Sequence, residues 1–374
     1  MAWYVLCAAS YPGVWKRETM GTGEYSSAVG NTVLLIGVGA VGCELAARCT
    51  AAPLRRLLSF DADALASYPG IETVCLAGEP ENTGDMDTDA MEESAVDAAL
   101  RIVESTRPSN GVALILCAVG GQTGSIVIPA LANELKATQC TVVVVALEPL
   151  SFEGPNRAEL ASRAVASLEN VADLVLVLPN RPLAELCEPG WPVAKAIASL
   201  KDRTVEAVDQ LTRALSCASC VGLQPSDLRH SLSEAGRGAL GIGVGAGDSR
   251  VEQAIRDACA HSFLTQESCK QASAAILHLL GSSDLSLREV HAATELIGQI
   301  VGRVPIQVGL SMDRSMGEEI RATLLVTGVR HLSADGATEG RSATVPQSQD
   351  LAFFDGVNLD IPAFLRRKPA PQIH

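Results

Sequence analysis

Between residues 31 and 180 the chain alternates short runs of apolar residues with segments of helical periodicity. A strand that is apolar on both faces must be covered on both faces, which is typical of parallel strands joined by helices. The runs lie in NTVLLIGVG, RRLLSFDAD, GVALILCAVGG, TVVVVALEP and DLVLVLPN. The alternation therefore predicts an α/β fold built on a doubly wound, Rossmann-like parallel sheet.

The pattern of strand and helix signals along the chain changes after this region. We predict an irregular N-terminal extension over 1–30, a first domain over 31–191 and a long central helix over 192–217. Strand and helix signals then mix over 218–330, which predicts a smaller α+β domain. Residues 331–356 are rich in Ser, Thr, Gly and Ala without periodicity and predict a flexible linker. A tail follows over 357–374.

Composition restricts the partners and the compartment. The net charge of −14 argues against a nucleic-acid partner. No apolar run reaches the about 18 residues of a membrane span, so we expect no direct membrane insertion. The apolar start lacks a basic leader, which argues against a signal peptide. The 11 cysteines are scattered, many in apolar segments, and predict core thiols in a reducing cytoplasm.

The first glycine cluster, GVGAVG at 37–42, falls between a predicted strand and a helix. Its glycines, Gly37, Gly39 and Gly42, are spaced so that backbone N–H groups and a helix N-terminus can bind phosphate. Asp61 lies 19 positions beyond Gly42. By itself this pattern fits a dinucleotide-binding site, the adenylating domain of ubiquitin-activating-type enzymes, which GVGAVGCELA also resembles, or a tight turn without a ligand.

A second cluster, VGGQTGS at 119–125, again lies between a strand and a helix. Gly120, Gly121 and Gly124 allow the backbone to approach an anion, and Thr123 and Ser125 add hydroxyl donors. With the loops in PLSFEGPNR and LPNRP, four loops meet at the carboxyl edge of one sheet. Nucleotides bind at this edge in open α/β folds.

Five elements in this order resemble the FtsZ family, the bacterial relatives of tubulin. They are GGQTGS, the PLSFEG segment with Arg157, AGRGALGIGVGAGDSRVEQA, GSSDLSLREVHAA and LDIPAFLRR. The resemblance covers about 31–329 and the tail. It implies a GTP-binding domain over 31–191, an activation domain over 218–330, and head-to-tail protofilaments. In that family the GTPase site is completed by a loop of the next subunit.

The resemblance assigns nucleotide contacts residue by residue. Glu153 matches the residue expected on the ribose, Arg157 one that reaches the nucleotide, Asn180 a turn beside the sugar and base, and Asp61 an acid near the phosphates. The phosphate loops correspond to the following residues: Gly37, Gly39, Gly42, Gly120, Gly121, Gln122, Thr123, Gly124 and Ser125. GTP or GDP is the implied ligand, with Mg²⁺ as its candidate counter-ion, and we predict no metal site formed by the protein alone.

The departures from the family pattern concentrate at the chemistry. Glu44 replaces a family Asn, and we expect it to add negative charge beside the phosphates. The family acid or amide that reads guanine aligns with Lys201, one residue short of Asp202. In the catalytic loop, GLQPSD at 222–227, Asp227 keeps one acid and Gln224 replaces the other. Gln can orient a water but cannot act as a base, which predicts weakened hydrolysis.

The tail VNLDIPAFLRRKPA carries an apolar stripe with a basic end. In the family this peptide binds division proteins such as FtsA and ZipA, with its apolar side chains in a groove. We predict four apolar anchors and two basic supports: Leu359, Ile361, Phe364, Leu365, Arg366 and Arg367.

Two functions remain open at this point. The first is an FtsZ-like cytoskeletal protein of bacterial cell division, cytoplasmic and active at the division site, that binds guanine nucleotide and hydrolyses GTP slowly. Its partners would be its own copies, a true FtsZ and division proteins. The second is a degenerate FtsZ paralogue, a structural or regulatory assembly protein without turnover. A Rossmann or adenylating enzyme has no use for the second glycine loop or the tail.

Overall fold

The computed structural model describes residues 33–76, 88–106, 111–179, 191–216, 225–233, 235–261 and 263–329, and the short segments 353–354 and 357–358. Residues up to 330 belong to one compact unit and the remainder to a second. Strands of the first unit form one ten-stranded sheet.

Six parallel strands make the first part of the sheet. They are β1 Val33–Val38, β2 Leu54–Ser59, β3 Glu72–Cys75, β4 Val112–Ala118, β5 Thr141–Leu147 and β6 Leu174–Leu178. The helices are α1 Gly39–Arg48, α2 Ala62–Ala66, α3 Thr88–Thr106, α4 Gln122–Ala137 and α5 Pro155–Val171. One apolar cluster fills the side of α1 and another the side of α3, α4 and α5. The predicted doubly wound sheet is confirmed.

A 24-residue helix, α6 Val193–Ser216, follows, and α7 Pro225–Leu232 comes after it. The second part consists of β7 Gly236–Gly245, α8 Arg250–Cys259, α9 Gln266–Gln271, β8 Ala274–Gly281, α10 Leu287–Val301, β9 Ile306–Met312 and β10 Ile320–Thr327. The strand order of the whole sheet is β3-β2-β1-β4-β5-β6-β7-β10-β8-β9. β7 pairs parallel with β6, and antiparallel β10 lies between β7 and β8. The mixed strand directions confirm the α+β character predicted for this part, and the β6–β7 pairing makes the sheet continuous.

Two elements escaped the sequence patterns. β3 is an edge strand in which only Val74 is buried, so it shows no apolar run. The second is helix α3, Thr88–Thr106, which lacks a clear apolar stripe. Its mean hydropathy is close to neutral because its buried face is made largely of alanine, as at Ala95, Ala98 and Ala99. Alanine can fill a core, but because it is only weakly hydrophobic it gives the sequence no clear apolar pattern.

Helix α8 lies unusually close to β7, because the facing residues of the strand are glycines. These glycines, Gly241, Gly243 and Gly245, form a stripe along one face of β7. A Cβ added at Gly243 would lie 1.9 Å from the carbonyl oxygen of Ala254, and one at Gly245 would lie 1.8 Å from that of Arg250. The stripe therefore sets the distance between helix and strand.

The start of α8 is fixed to its neighbours by a buried arginine. Arg250 Nε donates to Glu289 Oε1 at 2.8 Å, and its Nη1 donates to Asp284 Oδ2 at 2.9 Å and to the Glu318 carbonyl at 3.3 Å. The hydrogen bond from Arg250 lowers the pKa of Glu289 to about 2. Glu289 also caps α10, accepting from the backbone N–H of Ser286 at 2.8 Å.

Most of the described cysteines lie in the core as free thiols, namely Cys43, Cys49, Cys117, Cys140 and Cys269. Burial raises the pKa of Cys43, Cys49 and Cys117 to about 12. Cys75, on the edge strand, is exposed. Buried thiols of this kind act as small apolar residues.

Several predictions fall outside the described residues. They concern the extension 1–30, most of the linker 331–356 and the anchors of the tail. In this region two short strands, β11 Phe353–Phe354 and β12 Val357–Asn358, pair antiparallel. No helix among the described residues is long and apolar enough to span a membrane.

Candidate functional site

Two helix N-termini lie side by side at the carboxyl edge of the sheet. Val38 at the end of β1 pairs in register with Cys117 near the end of β4. Helix α1 begins directly after β1 and helix α4 begins at Gln122, a short loop after β4, and neither N-cap, Val38 or Gly121, supplies a side-chain hydrogen bond. The first N–H groups of a helix carry partial positive charge and favour an anion. The paired termini therefore form a site suited to phosphate.

Packing alone explains part of the first glycine motif. A Cβ at Gly37 would lie 2.5 Å from the carbonyl oxygen of Gly42, and one at Gly42 would lie 2.3 Å from that of Leu116. Gly39 has a φ of 74°, a conformation that favours glycine. The motif thus serves the tight strand–helix turn whether or not a ligand is bound.

The second glycine loop contains the position that packing does not explain. Gly120 has a φ of 92°, and a Cβ at Gly124 would lie 2.8 Å from the carbonyl oxygen of Ala118. Gly121, by contrast, has open space where a Cβ would stand. A glycine facing open space at a helix N-terminus permits close approach of a ligand. Of the two loops, Gly121 is thus the glycine that points to a ligand.

A cavity of about 150 Å³ opens beside these loops. Its walls come from α1, the ends of β4 and β5, the loop before α5, and α6. The lining residues are Val41, Ala118, Val119, Leu147, Glu148, Pro149, Leu150, Glu153, Arg157, Ile197, Leu200 and Lys201. The wall is mainly apolar with a few charged groups, the usual composition of a small-molecule site.

Glu153 and Arg157 lie together on one wall of this cavity. Arg157 Nη1 donates to Glu153 Oε2 at 2.5 Å, and Glu153 Oε1 accepts from the backbone N–H of Leu150 at 2.7 Å. The backbone of Arg157 also packs on Gly120, whose Cβ would lie 2.8 Å from its carbonyl oxygen. Both side chains predicted to contact the nucleotide are therefore at the cavity and next to the second glycine loop.

The opposite wall is formed where α1 meets α6, and charged pairs join these helices. Lys201 Nζ donates to Glu44 Oε1 at 2.8 Å and to Oε2 at 2.7 Å. One turn along α1, Arg48 pairs with Asp202. Asp209, farther along α6, accepts from the backbone N–H groups of Thr50 and Ala51 at 2.9 and 3.0 Å.

These pairs change two expectations drawn from the sequence. Glu44, which we expected to add negative charge beside the phosphates, is paired with the Lys201 ammonium, which offsets that charge. Lys201 lines the cavity, whereas Asp202 turns to Arg48 and is not among the lining residues. The acid at position 202 of α6 is therefore paired with Arg48 and does not line the cavity.

Asp61 follows β2, the neighbour of β1. Its Oδ1 accepts from the backbone N–H of Ala64 at 2.9 Å and so caps α2. The residue is at the carboxyl edge, as predicted, but its carboxylate is engaged in helix capping.

The remaining predicted residues are only partly described. Asn180 and Gln224 lie outside the described residues, and the side chains of Gln122, Thr123, Ser125 and Asp227 are likewise not described. The backbone places Asp227 in the first turn of α7 and Gln122 at the start of α4. Within the described residues, no three His, Cys, Asp or Glu side chains are grouped to hold a metal ion.

The fold and the cavity define the tubulin-like class, in which a parallel α/β sheet with phosphate loops is joined by one long helix to an α+β half. Residues 32–188 match the GTPase domain model of the Tubulin/FtsZ family, and residues 236–330 match the C-terminal domain model of the FtsZ family. The two matches together cover more than half of the chain. The chain belongs to the tubulin/FtsZ family.

Individual relatives agree with this assignment. Cell division protein FtsZ of Caulobacter vibrioides (strain NA1000 / CB15N) is 27% identical over 239 residues, which make up 64% of this chain and 46% of the relative. The FtsZ protein of the same species, strain ATCC 19089 / CIP 103742 / CB 15, matches equally. The chain thus spans about half the length of the curated relatives it matches.

Solved structures share the fold. An FtsZ dimer from M. jannaschii, described as empty, superposes with a TM-score of 0.70 at 21% identity, over 83% of this chain and 95% of that one. CetZ2 from Haloferax volcanii, described as a GTPgS-bound protofilament, gives a TM-score of 0.66 at 20% identity, over 80% and 93% of the two chains.

Proposed function

We propose that this chain is an FtsZ-like cytoskeletal protein that binds a guanine nucleotide at the carboxyl edge of its sheet. In this proposal it assembles head to tail into protofilaments and hydrolyses GTP slowly, in bacterial cell division. The observation that carries the proposal is the pair of neighbouring helix N-termini at α1 and α4, whose N-cap residues make no side-chain cap, beside a cavity. The phosphates of a nucleotide need an anion site and its base needs an apolar cavity, and the two must lie next to each other.

The described residues suggest how the parts of a nucleotide would be held. The phosphates would approach the start of α4 at Gly121, where an added Cβ would meet no atom within 4 Å, and the start of α1. Glu153 and Arg157 would contact the sugar side, and Ile197 with Leu200 would cover the base. Mg²⁺ would be held chiefly by the phosphates, because this ion commonly uses only one or two protein carboxylates.

A non-hydrolysing paralogue is the second candidate, and one observation favours it. Charged side chains at the cavity already pair with one another, Lys201 with Glu44 and Arg157 with Glu153. A ligand must compete with these pairs or use them. Such a protein would serve structural or regulatory assembly without turnover.

Three measurements on purified protein separate the candidates. Calorimetry measures GTP and GDP binding, phosphate release measures turnover, and sedimentation with and without nucleotide measures assembly. We expect micromolar or tighter binding, slow release, and assembly that depends on GTP. Absence of GTP binding overturns the proposal, and assembly of nucleotide-free protein would favour the second candidate.

The tail 357–374 extends the proposal to partners. By the family resemblance, its apolar anchors and basic end would bind division proteins such as FtsA or ZipA at a cytoplasmic division site, and the filament would accept copies of a true FtsZ. A peptide of these residues, titrated against each purified partner, tests this part independently of nucleotide binding.

Restoring the missing acid of the catalytic loop should raise turnover. We expect Gln224→Asp to increase GTP hydrolysis by about tenfold, part of the 10²–10⁴-fold typical of acid–base groups, because a carboxylate can act as a base where an amide can only orient water. Phosphate release at saturating GTP measures the change. Gln224→Asn, which keeps an amide, is the matched control and should show no gain. An unchanged rate in a Gln224→Asp variant that binds GTP normally contradicts the prediction.

A further inference from the structure

We propose that a second cavity, between helices α8, α9 and α10, binds a small amphipathic anion, which places an apolar body inside and a carboxylate or phosphate at the mouth. This cavity has a volume of about 400 Å³, within the range of small-molecule sites. It shares no lining residue with the cavity beside the phosphate loops. The inference therefore goes beyond the proposed function and does not depend on it.

The inner wall of this second cavity is apolar. Cys269 is 1% exposed and belongs to the apolar cluster of the second part of the fold, and Cys259 and Ile300 pack against that cluster. Ala260 adds a methyl group at the end of α8. Burial raises the pKa of Cys259 to about 11, so this thiol is uncharged near neutral pH and acts as an apolar group. The wall suits an aliphatic or aromatic body.

The charged side chains that line the cavity are both cations. Arg256 lies on α8, one turn before Cys259, and Lys270 follows Cys269 on α9. Both cations are exposed. Within the part of the chain that the structure describes, neither side chain forms an ion pair or a hydrogen bond. Gln266 adds an amide to the lining. The mouth thus offers several N–H donors and two positive charges.

Acidic residues close to these cations in the sequence are directed elsewhere. Asp257 lies against β7, where its Cβ would be 2.9 Å from a Cβ added at Gly243. Glu267 Oε1 accepts from Gln271 Nε2 at 2.9 Å. Neither acid lines the cavity. In a chain with a net charge of −14, two unpaired cations beside one apolar cavity are complementary to an anion.

The two environments together define the chemistry of the ligand. A guanidinium and an ammonium bind a carboxylate or a phosphate by charge-assisted hydrogen bonds. The apolar wall supplies affinity in proportion to the area that the body of the ligand buries. A neutral amphiphile would gain only the second contribution, and a cationic amphiphile would be repelled at the mouth.

Calorimetry on the full chain tests this chemistry with five probes: octanoate, octyl phosphate, octan-1-ol, octylammonium and acetate. At least one of the two octyl anions should bind with a Kd below about 1 mM, and the tighter of them identifies the head group. Octan-1-ol should bind at least about tenfold more weakly, because it lacks the charge. Octylammonium and acetate should bind at least about 100-fold more weakly. Failure of both octyl anions to bind at 1 mM, or equal binding of octan-1-ol, overturns the proposal.

Variants assign the binding to this cavity. Arg256→Met and Lys270→Met should each weaken the octyl anion about tenfold and leave octan-1-ol unchanged. Arg288→Met removes the same charge at the opposite end of α10, outside the cavity, and should change neither. Ala260→Trp should fill the cavity and abolish binding of both probes. Thermal melting shows that each variant is folded, and equal weakening by Arg288→Met contradicts the assignment.

Cysteine labelling provides a second measurement of the same site. Cys259 lies half-buried at the cavity wall, whereas Cys75 is exposed on the edge strand β3. An octyl anion at ten times its Kd should slow the reaction of Cys259 with N-ethylmaleimide about tenfold and leave that of Cys75 unchanged, as measured by peptide mass spectrometry. Binding without protection of Cys259 would place the anion elsewhere and overturn the proposal.

The outcome is distinguishable from that of the proposed function. Protein that binds the octyl anion but not GTP would overturn the proposed function alone. Protein that binds GTP but neither octyl anion would overturn this inference alone.

Discussion

The variant Gly243→Ala should lose about 3 kcal/mol of unfolding free energy, at the upper end of the usual overpacking cost. The added Cβ would lie 1.9 Å from the carbonyl oxygen of Ala254 and 2.4 Å from the backbone nitrogen of Ala258. Both atoms belong to the backbone of α8, so the whole helix must move. Urea denaturation followed by circular dichroism measures the loss.

A second Gly→Ala substitution provides the control. Gly298 lies in α10, where the nearest atom to an added Cβ is 3.9 Å away. Gly298→Ala should leave the protein unchanged or stabilise it by about 0.5–1 kcal/mol, since alanine favours the helix. Equal midpoints for the two variants would show that α8 is free to shift away from β7.

The variant Arg250→Met should destabilise the protein by about 1.5–3 kcal/mol, the usual contribution of hydrogen bonds to charged groups, because the carboxylates left behind are 54% and 26% exposed. The arginine side chain is 9% exposed and joins Asp284 and Glu289. Methionine preserves most of the packing but leaves both carboxylates without their cation. Arg288→Met, at an exposed neighbouring position, removes the same charge and should change stability by less than about 0.5 kcal/mol.

The same cluster has a defined pH dependence. Because the folded pKa of Glu289 is lowered to about 2, its contribution to stability is complete above its ordinary pKa. That contribution is lost as pH falls from about 4.5 towards 2. Arg250→Met should flatten this part of the stability profile, measured by denaturation at each pH. A profile of the same slope in both proteins contradicts the assignment of the shift to Arg250.

The sequence predicted the first part of the fold because its strands are apolar on both faces. β4 and β5 are buried along nearly their whole lengths. Their sequences are therefore continuous apolar runs, which are easy to recognise. The glycines of β7 were noticed as a family motif, but their close packing on α8 was not deduced. Their role depends on how near another element lies, and spacing along the chain does not encode that distance.

The candidate site shows the same division. The phosphate loops could be predicted because the tight turn between a strand and a helix requires glycine, and this requirement is visible in the local sequence. The Glu44–Lys201 pair was missed because its members are 157 residues apart. One signal was present: α1 carries Glu44 and Arg48 one turn apart, and α6 carries Lys201 and Asp202, with complementary charges. Unless the contact between α1 and α6 is known, these complementary charges could equally belong to two helix faces that are separately exposed to solvent.

The buried thiols allow local opening of this protein to be measured by cysteine labelling. A thiol with a pKa near 12 inside the core cannot react with an alkylating reagent until its segment opens. Cys43 on α1 and Cys117 on β4 lie in the part of the fold with the parallel strands, and Cys269 on α9 lies in the second part. Their labelling rates convert into opening free energies for each part. Equal values would mean that the continuous sheet opens as one cooperative body, and unequal values would locate its weaker half.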